Sequence, residues 1–275
     1  MIPMTITLAS IAMSLMAGAA EANVTITTGK SGGTYHGTFG ANLNQILREH
    51  GIPAEVQTSL GSVENLNRIA AGEAQVGFTQ GDVLASWLRD NPSANIEIVG
   101  ELGQECVYVA VNKDGKVSDE DDLTSGIKIA VGEQGTGSAV SWDYLRTLED
   151  DYAEASTFYQ GGIRSLGKVS SGQLDAFMWV TSPDNLNHGY LNAVNASDSL
   201  EIIDLDDYSL NEKLPNGEQV YEFRDVVVKE GTFNDTEVEV PCTDVLVVAD
   251  PNMDYEAIET VAGAVLMNSN RIRGL

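Results

Sequence analysis

The sequence predicts an α/β protein of two lobes, each a mixed, mostly parallel sheet flanked by helices and joined to the other by a two-strand hinge. Three observations carry that prediction. Short apolar, β-branched runs alternate with helical patterns through most of the chain, as parallel strands with helical crossovers require. A strand, a glycine-rich turn and a helix start occur twice, at residues 24–35 and 127–138. Each copy is followed by the same downstream pair, 66–79 and 166–179: a helix end, a C′ glycine (Gly72, Gly172) and a buried strand.

In the first half the strands are expected at 24–28, 54–58, 74–78 and 96–99, with helices ending near Leu47 and at 62–71 and 81–89. Gly29, Gly32 and Gly33 let the first turn bend sharply and approach a bound group, and Ser31, Thr34 and Tyr35 add hydroxyls at the helix start. Oriented N–H groups and the positive dipole end suit such a start to a carboxylate or phosphate, although a ligand-free capped turn would look the same. Ser62 is placed to cap the second helix. Gln80 and Asp82 fall just past a strand's carboxyl end, where open α/β sheets bind ligands.

The second half repeats the scheme. Its strands are expected at 107–111, 127–131, 157–159, 176–180 and 201–205, and its helices at 138–148, 161–171 and 184–194. Residues 211–219 read as a polar loop. Strands at 226–228 and 245–249 return the chain to the first lobe, and 255–267 closes it with a helix. The expected partition is therefore lobe 1 from 23–108 and 222–275, and lobe 2 from 109–221. Trp179 ends a buried strand, where it can cover a ligand or fill the core. Thr181 and Ser182 lie just beyond it.

Residues 1–22 read as an export signal: an uncharged apolar run, 6–16, then Ala20-Glu-Ala22 as a cleavage site, with the mature chain starting near Asn23. The n-region lacks Lys and Arg. Acidic residues number 41 against 15 basic ones, a net charge of −26, which argues against nucleic-acid binding. The acidic run 119–122 lacks the alternating ligands and glycine of a calcium loop. Cys106 and Cys242 each precede an apolar strand. If those strands lie side by side and antiparallel, the cysteines fall at opposite ends and stay apart; a disulfide is the alternative in an oxidising compartment.

Catalytic signatures are missing. His36, His50 and His188 form no HExxH pattern, no GxSxG elbow is present, and 132–138 lacks the Lys of a phosphate-binding P-loop. Asp82, Asp184 and His36 are the candidates for a base, and none has a visible partner. No cofactor or metal is implied.

The motif Thr28-Gly-x-x-Gly-Gly-Thr-Tyr35, with Gly61-Ser-Val-Glu-Asn-Leu66 and Ala71-Gly-Glu-Ala-Gln-Val-Gly77, resembles the TAXI family of TRAP-transporter solute receptors. So do Val131-Gly-x-x-Gly-Thr-Gly-Ser138, Ser171-Gly-Gln-Leu-Asp-Ala-Phe177 and Gly231-Thr-Phe233 before Val240-Pro-Cys-Thr-Asp-Val-Leu246. The similarity runs in order over 24–268. It implies a type II periplasmic binding protein fold, a periplasmic monomer and a small carboxylate ligand such as glutamate or a dicarboxylate. It also implies delivery to a membrane TRAP permease. Carried over by position, ligand contacts would come from Gly33, Thr34, Tyr35, Ser62, Gln80, Gly135, Thr136, Gly137, Ser138, Trp179, Thr181 and Ser182. The family pattern continues past the closing helix with a Pro-His-Pro-Gly-Ala-like tail, whereas this sequence stops at Leu275, and Lys30 stands where small residues are usual. A sensor subunit binding the same ligands, and an enzyme on the same two lobes, are the rival readings.

Overall fold

A computed structural model describes residues 24–213, 217 and 219–275. The export-signal reading and part of the 211–219 loop lie outside the described residues. The strands are β1 (Val24–Thr27), β2 (Ala54–Gln57), β3 (Val76–Gln80), β4 (Glu97–Asn112), β5 (Lys128–Ala130), β6 (Ser156–Phe158), β7 (Ala176–Thr181), β8 (Leu200–Ile203), β9 (Glu222–Lys229) and β10 (Thr236–Ala249). Between them stand α1 (Ala41–Glu49), α2 (Ser62–Ala70), α3 (Gly81–Asp90), α4 (Gly137–Leu145), α5 (Asp150–Glu154), α6 (Ile163–Ser170), α7 (Gly189–Asn195) and α8 (Tyr255–Arg273). The main sheet runs β2-β1-β3-β10-β4-β7-β5-β6, with β8 also on β4 and β9 also on β10.

The two halves obey the same rule. β1 pairs in parallel with β2 and β3, and β5 pairs in parallel with β6 and β7. The antiparallel strands β4 and β10 run between these halves and form the two-strand hinge. Buried apolar side chains follow that division. Ile26, Leu43, Phe78 and Val247 belong to one cluster, Leu66, Leu84 and Val248 to another beside it, and Val109, Ile129, Trp142 and Phe177 to a third. Val226, Val228, Val238 and Val240, placed above with the first lobe, pack in the third cluster with Val107 and Val111.

The hinge corrects one expectation. Cys106 and Cys242 are joined by a disulfide and lie directly opposite each other in the β4–β10 ladder. The sequence reading placed each cysteine ahead of its strand, which began at Val107 or Val245. In the structure both strands extend to either side, so each cysteine is in mid-strand. The apolar runs 107–111 and 245–249 then lie end to end instead of side by side. Residues 245–249 pair with β3 and with the start of β4, whereas 107–111 pair with β7.

The predicted strands near 96–99 and 107–111 are one continuous strand, β4, and the last helix runs on to Arg273 with a kink at Asn268. Helix α7 starts at Gly189, later than expected, because residues after Thr181 first form turns that end in the His188 cap. Among the described residues, no helix is long and apolar enough to cross a membrane.

Candidate functional site

The first glycine loop is fixed from below by Asn65 of α2, which is fully buried. Its amide donates to the carbonyls of Thr28 (2.6 Å) and Phe78 (2.8 Å), and its Oδ1 accepts from the Thr27 hydroxyl (2.7 Å). One side chain thus ties the ends of β1 and β3 together under the loop. The helix that follows opens as a π-helical segment, Tyr35–Gly40, before α1. Gly40 allows that segment to lie against the sheet: a Cβ there would meet Thr28 Cγ2 at 2.5 Å.

The second glycine loop reaches across to the first. Lys30 Nζ lies 2.7 Å from Glu133 Oε2, so an ion pair bridges the two loops. Beneath it the N-termini of α3 and α4 meet, and a Cβ on Gly137 would stand 1.8 Å from Gln80 Oε1. Two further ion pairs join the halves: Arg273 with Asp184 at 2.6 Å, and Arg89 with Glu212. Arg89 also donates to Thr147 (2.8 Å) and lies over the Tyr144 ring. The lobes are in contact along a cleft that starts at the loops and ends at the disulfide.

Two cavities of about 290 Å³ open along this cleft. Thr34, Thr181 and Ser182 line the first, together with Glu105, Asp184 and Arg273. Thr136, Ser138 and Trp179 line the second, together with Lys30 and Glu133. The expected contact residues are therefore divided. Gln80 and Gly137 lie in the packed seam between the helix starts, and Ser62 is buried beside Tyr35. Gly33 is exposed on the first loop and Gly135 forms the turn of the second.

Several hydroxyls already have partners. Ser138 Oγ accepts from the Val180 N–H (3.1 Å), which ties the start of α4 to β7. Thr136 Oγ1 donates to the Glu133 carbonyl (2.7 Å). Trp179 is 2% exposed and stacks on Tyr108 and Phe177, with His188 and Tyr190 alongside. It is core, with one polar remainder: its indole N–H has no hydrogen-bond partner. The buried Gln80 amide nitrogen is unpartnered in the same way.

The acids of the seam have shifted titrations. Asp82 is fully buried, and its burial raises its pKa; the Ser141 hydroxyl and then the Tyr221 hydroxyl, which donates at 3.0 Å, oppose the rise. Glu105 is raised to about 7, first by burial, while the bond from the Tyr35 hydroxyl (3.3 Å) acts against it and the charge of Asp82 adds to it. The candidate bases all have partners: Asp82 has Tyr221, Asp184 has Arg273, and His36 Nδ1 lies 2.9 Å from Thr28 Oγ1. Sequence reasoning missed Glu105, Arg273 and Glu133. Glu105 had a usable signal, an acid directly before an apolar strand. Arg273 and Glu133 had none, because each acquires meaning only from a contact across the cleft.

A model of the NMT1-like family matches residues 26–275. This chain belongs to the NMT1-like family. The match spans both glycine loops, the hinge strands and α8. Solved structures share the fold at low identity. The substrate-binding protein of an amino acid ABC transporter is 13% identical over 91% of this NMT1-like chain and 95% of its own, with a TM-score of 0.54. XAC2383 from Xanthomonas citri, solved with ATP, is 13% identical over 89% and 82%, with a TM-score of 0.56. The GluR0 ligand-binding core from Nostoc punctiforme, in complex with L-glutamate, is 14% identical over 90% and 94%, with a TM-score of 0.51. The two-lobed architecture is common to them.

Proposed function

We propose that this NMT1-like protein is an extracytoplasmic solute receptor, a periplasmic monomer of the TAXI kind. In this reading it captures a small carboxylate between its lobes and delivers it to a membrane TRAP permease. The ligand would be a glutamate-like amino acid, a dicarboxylate or a 2-oxo acid. The observation that carries the reading is the meeting of the two lobes across one cleft, where Lys30 and Glu133 bridge the glycine loops and the start of α4 packs on Gln80 at the start of α3. Helix starts beside such a cleft suit a carboxylate, because their first N–H groups and positive dipole ends favour negative charge. A ligand touching both sides gains contacts that exist only with the lobes together, so its binding draws the population toward closure, and a permease can recognise that surface.

The solved neighbours support a binding role, and the three base candidates read from the sequence, Asp82, Asp184 and His36, are each engaged by a neighbour. The residues proposed to touch the ligand are Thr34, Thr181 and Ser182, with Thr136 and Ser138 on the second loop.

The test is a thermal-shift panel of amino acids, dicarboxylates, 2-oxo acids and sugars on the protein starting at Asn23. A ligand at a hundredfold excess over Kd adds about 2.7 kcal/mol of stability. A rise in melting temperature with one carboxylate class, absent with sugars, is expected. A folded protein that responds to sugars alone, or to no member of the panel, rejects the reading.

A further inference from the structure

The cavity that gathers Thr34, Thr181 and Ser182 contains an acid that meets no cation among the described residues. Glu105 stands on β4 beside the disulfide, and its described partner is the neutral Tyr35 hydroxyl. Around it, Asp82 acts from α3, Asp184 from the loop after β7, and Arg273 from α8. Arg273 is held at 2.6 Å by Asp184, so its charge is already shared. Glu101 and Asp244 lie close by on the two hinge strands. With Glu105 ionised, the cavity wall presents two carboxylates, Glu105 and Asp184, against one guanidinium.

That balance separates the ligand classes. A dicarboxylate or a 2-oxo acid brings only negative charge to a wall that is already negative, and like charges in a low-dielectric cleft repel strongly. An amino acid brings an ammonium group for Glu105 and a carboxylate for the hydroxyl side of the cavity. Phe39, Leu102 and Val245 offer an apolar wall for its side chain.

We propose that Glu105 is a specificity-determining residue that receives a ligand ammonium group, so that the captured carboxylate is an amino acid. The inference rests on the solute-receptor reading and narrows it. Because the carboxyl titrates at about 7 without ligand, a bound ammonium group holds it ionised and drives its proton into solvent. Affinity for an amino acid then rises with pH through that range. Burial holds the Tyr35 hydroxyl well above its ordinary range, so it stays protonated in this window; burial raises the Asp82 carboxyl as well, and Glu105→Gln, which retains Asp82, separates its titration from that of Glu105.

Calorimetry with matched pairs decides it: L-glutamate against 2-oxoglutarate, and L-leucine against 4-methyl-2-oxopentanoate. The amino acid of at least one pair is expected to bind at least about tenfold tighter than its oxo analogue, as a charge-assisted hydrogen bond implies. Its affinity should strengthen from pH 6 to pH 8 with proton release seen as a buffer-dependent heat. Glu105→Gln should abolish both the preference and the pH dependence. Equal or tighter binding of the oxo acids overturns the role of Glu105 and leaves the receptor reading standing. Silence from both members of every pair, in a protein that answers a dicarboxylate in the thermal-shift panel, overturns the role of Glu105; silence across that whole panel overturns the receptor reading and this inference with it. The wild-type pH series stands alone if the variant fails to fold.

Discussion

At the first glycine loop none of Gly29, Gly32 and Gly33 has a positive φ, whereas at the second Gly132 and Gly135 sit at +91° and +82°. The motifs look alike in sequence, yet the second depends on left-handed backbone and the first does not. The first loop gets its shape from below, through Asn65 and through Gly40 packed on Thr28. Downstream the copies do agree. The Gly72 N–H donates to Ile69 at 2.9 Å, and Gly172 donates to Val169 at 3.0 Å. The following residues close back on Arg68 and Lys168, each at 2.8 Å. The helix ends agree in geometry, while the glycine loops differ. Where both copies only need to stop a helix, the same residues suffice; where each must meet the other lobe, they differ.

The largest expected effect tests what both loops share, the hinge. The disulfide closes a loop with a sequence separation of 136, and a constraint of that length limits the unfolded chain strongly. Replacing both cysteines by serine should cost about 3–5 kcal/mol in urea unfolding. A loss below about 1 kcal/mol would mean that the β4–β10 register stands without the disulfide.

The next effect contrasts the acids that face the loops. Glu105, beneath the first loop, has its pKa raised from 4.5 to about 7, mainly by burial, so the folded state holds its proton longer than the unfolded state does. That contribution is full below about pH 4.5 and is lost as pH rises through about 7. Without ligand, Glu105→Gln should therefore be more stable than the wild type by about 1–3 kcal/mol near pH 8, with little difference near pH 4. Chemical denaturation at both pH values measures it, and an unchanged or lower stability near pH 8 would show that the carboxyl is better solvated than its position implies.

The glycines themselves give opposite signs. Gly132→Ala places a side chain at positive φ, with its Cβ 3.0 Å from Thr136 Oγ1, and should cost about 1–2 kcal/mol. Gly32→Ala meets nothing within 4 Å and should be neutral or stabilising by up to about 1 kcal/mol. If both variants lose stability equally, the loops do the same work after all.

Much of this architecture was legible because it rests on local signals. Strand and helix alternation, the C′ glycines Gly72 and Gly172, and the second loop all depend on residues near in sequence. The misreadings share a cause in long-range pairing. The cysteine pair could not be read because the register of β4 against β10 is set across much of the chain, and the apolar runs gave no sign that they lie end to end. Trp179 was undecidable because its stacking partner Tyr108 comes from another strand. The division of the expected contacts between two cavities was equally hidden. It follows from Gln80 filling the seam against Gly137, a contact between residues with no motif in common.

The smallest expected effect concerns the Lys30–Glu133 ion pair, which joins the two loops directly. Glu133 has its pKa lowered by its hydrogen bond from Lys30 and by that lysine's charge. Its side chain is 68% exposed and that of Lys30 is 55% exposed, so water and salt screen the pair. The pair should favour the closed lobes only slightly. Lys30→Met should weaken ligand affinity about two- to fivefold at low salt and scarcely at all in 0.5 M salt. Because the Glu133 pKa is lowered, the contribution is present above its ordinary range and fades as pH falls through the lowered value. A loss that persists in high salt would mean that Lys30 touches the ligand itself. The cavity of the second loop, which Lys30 lines, would then be part of the binding site.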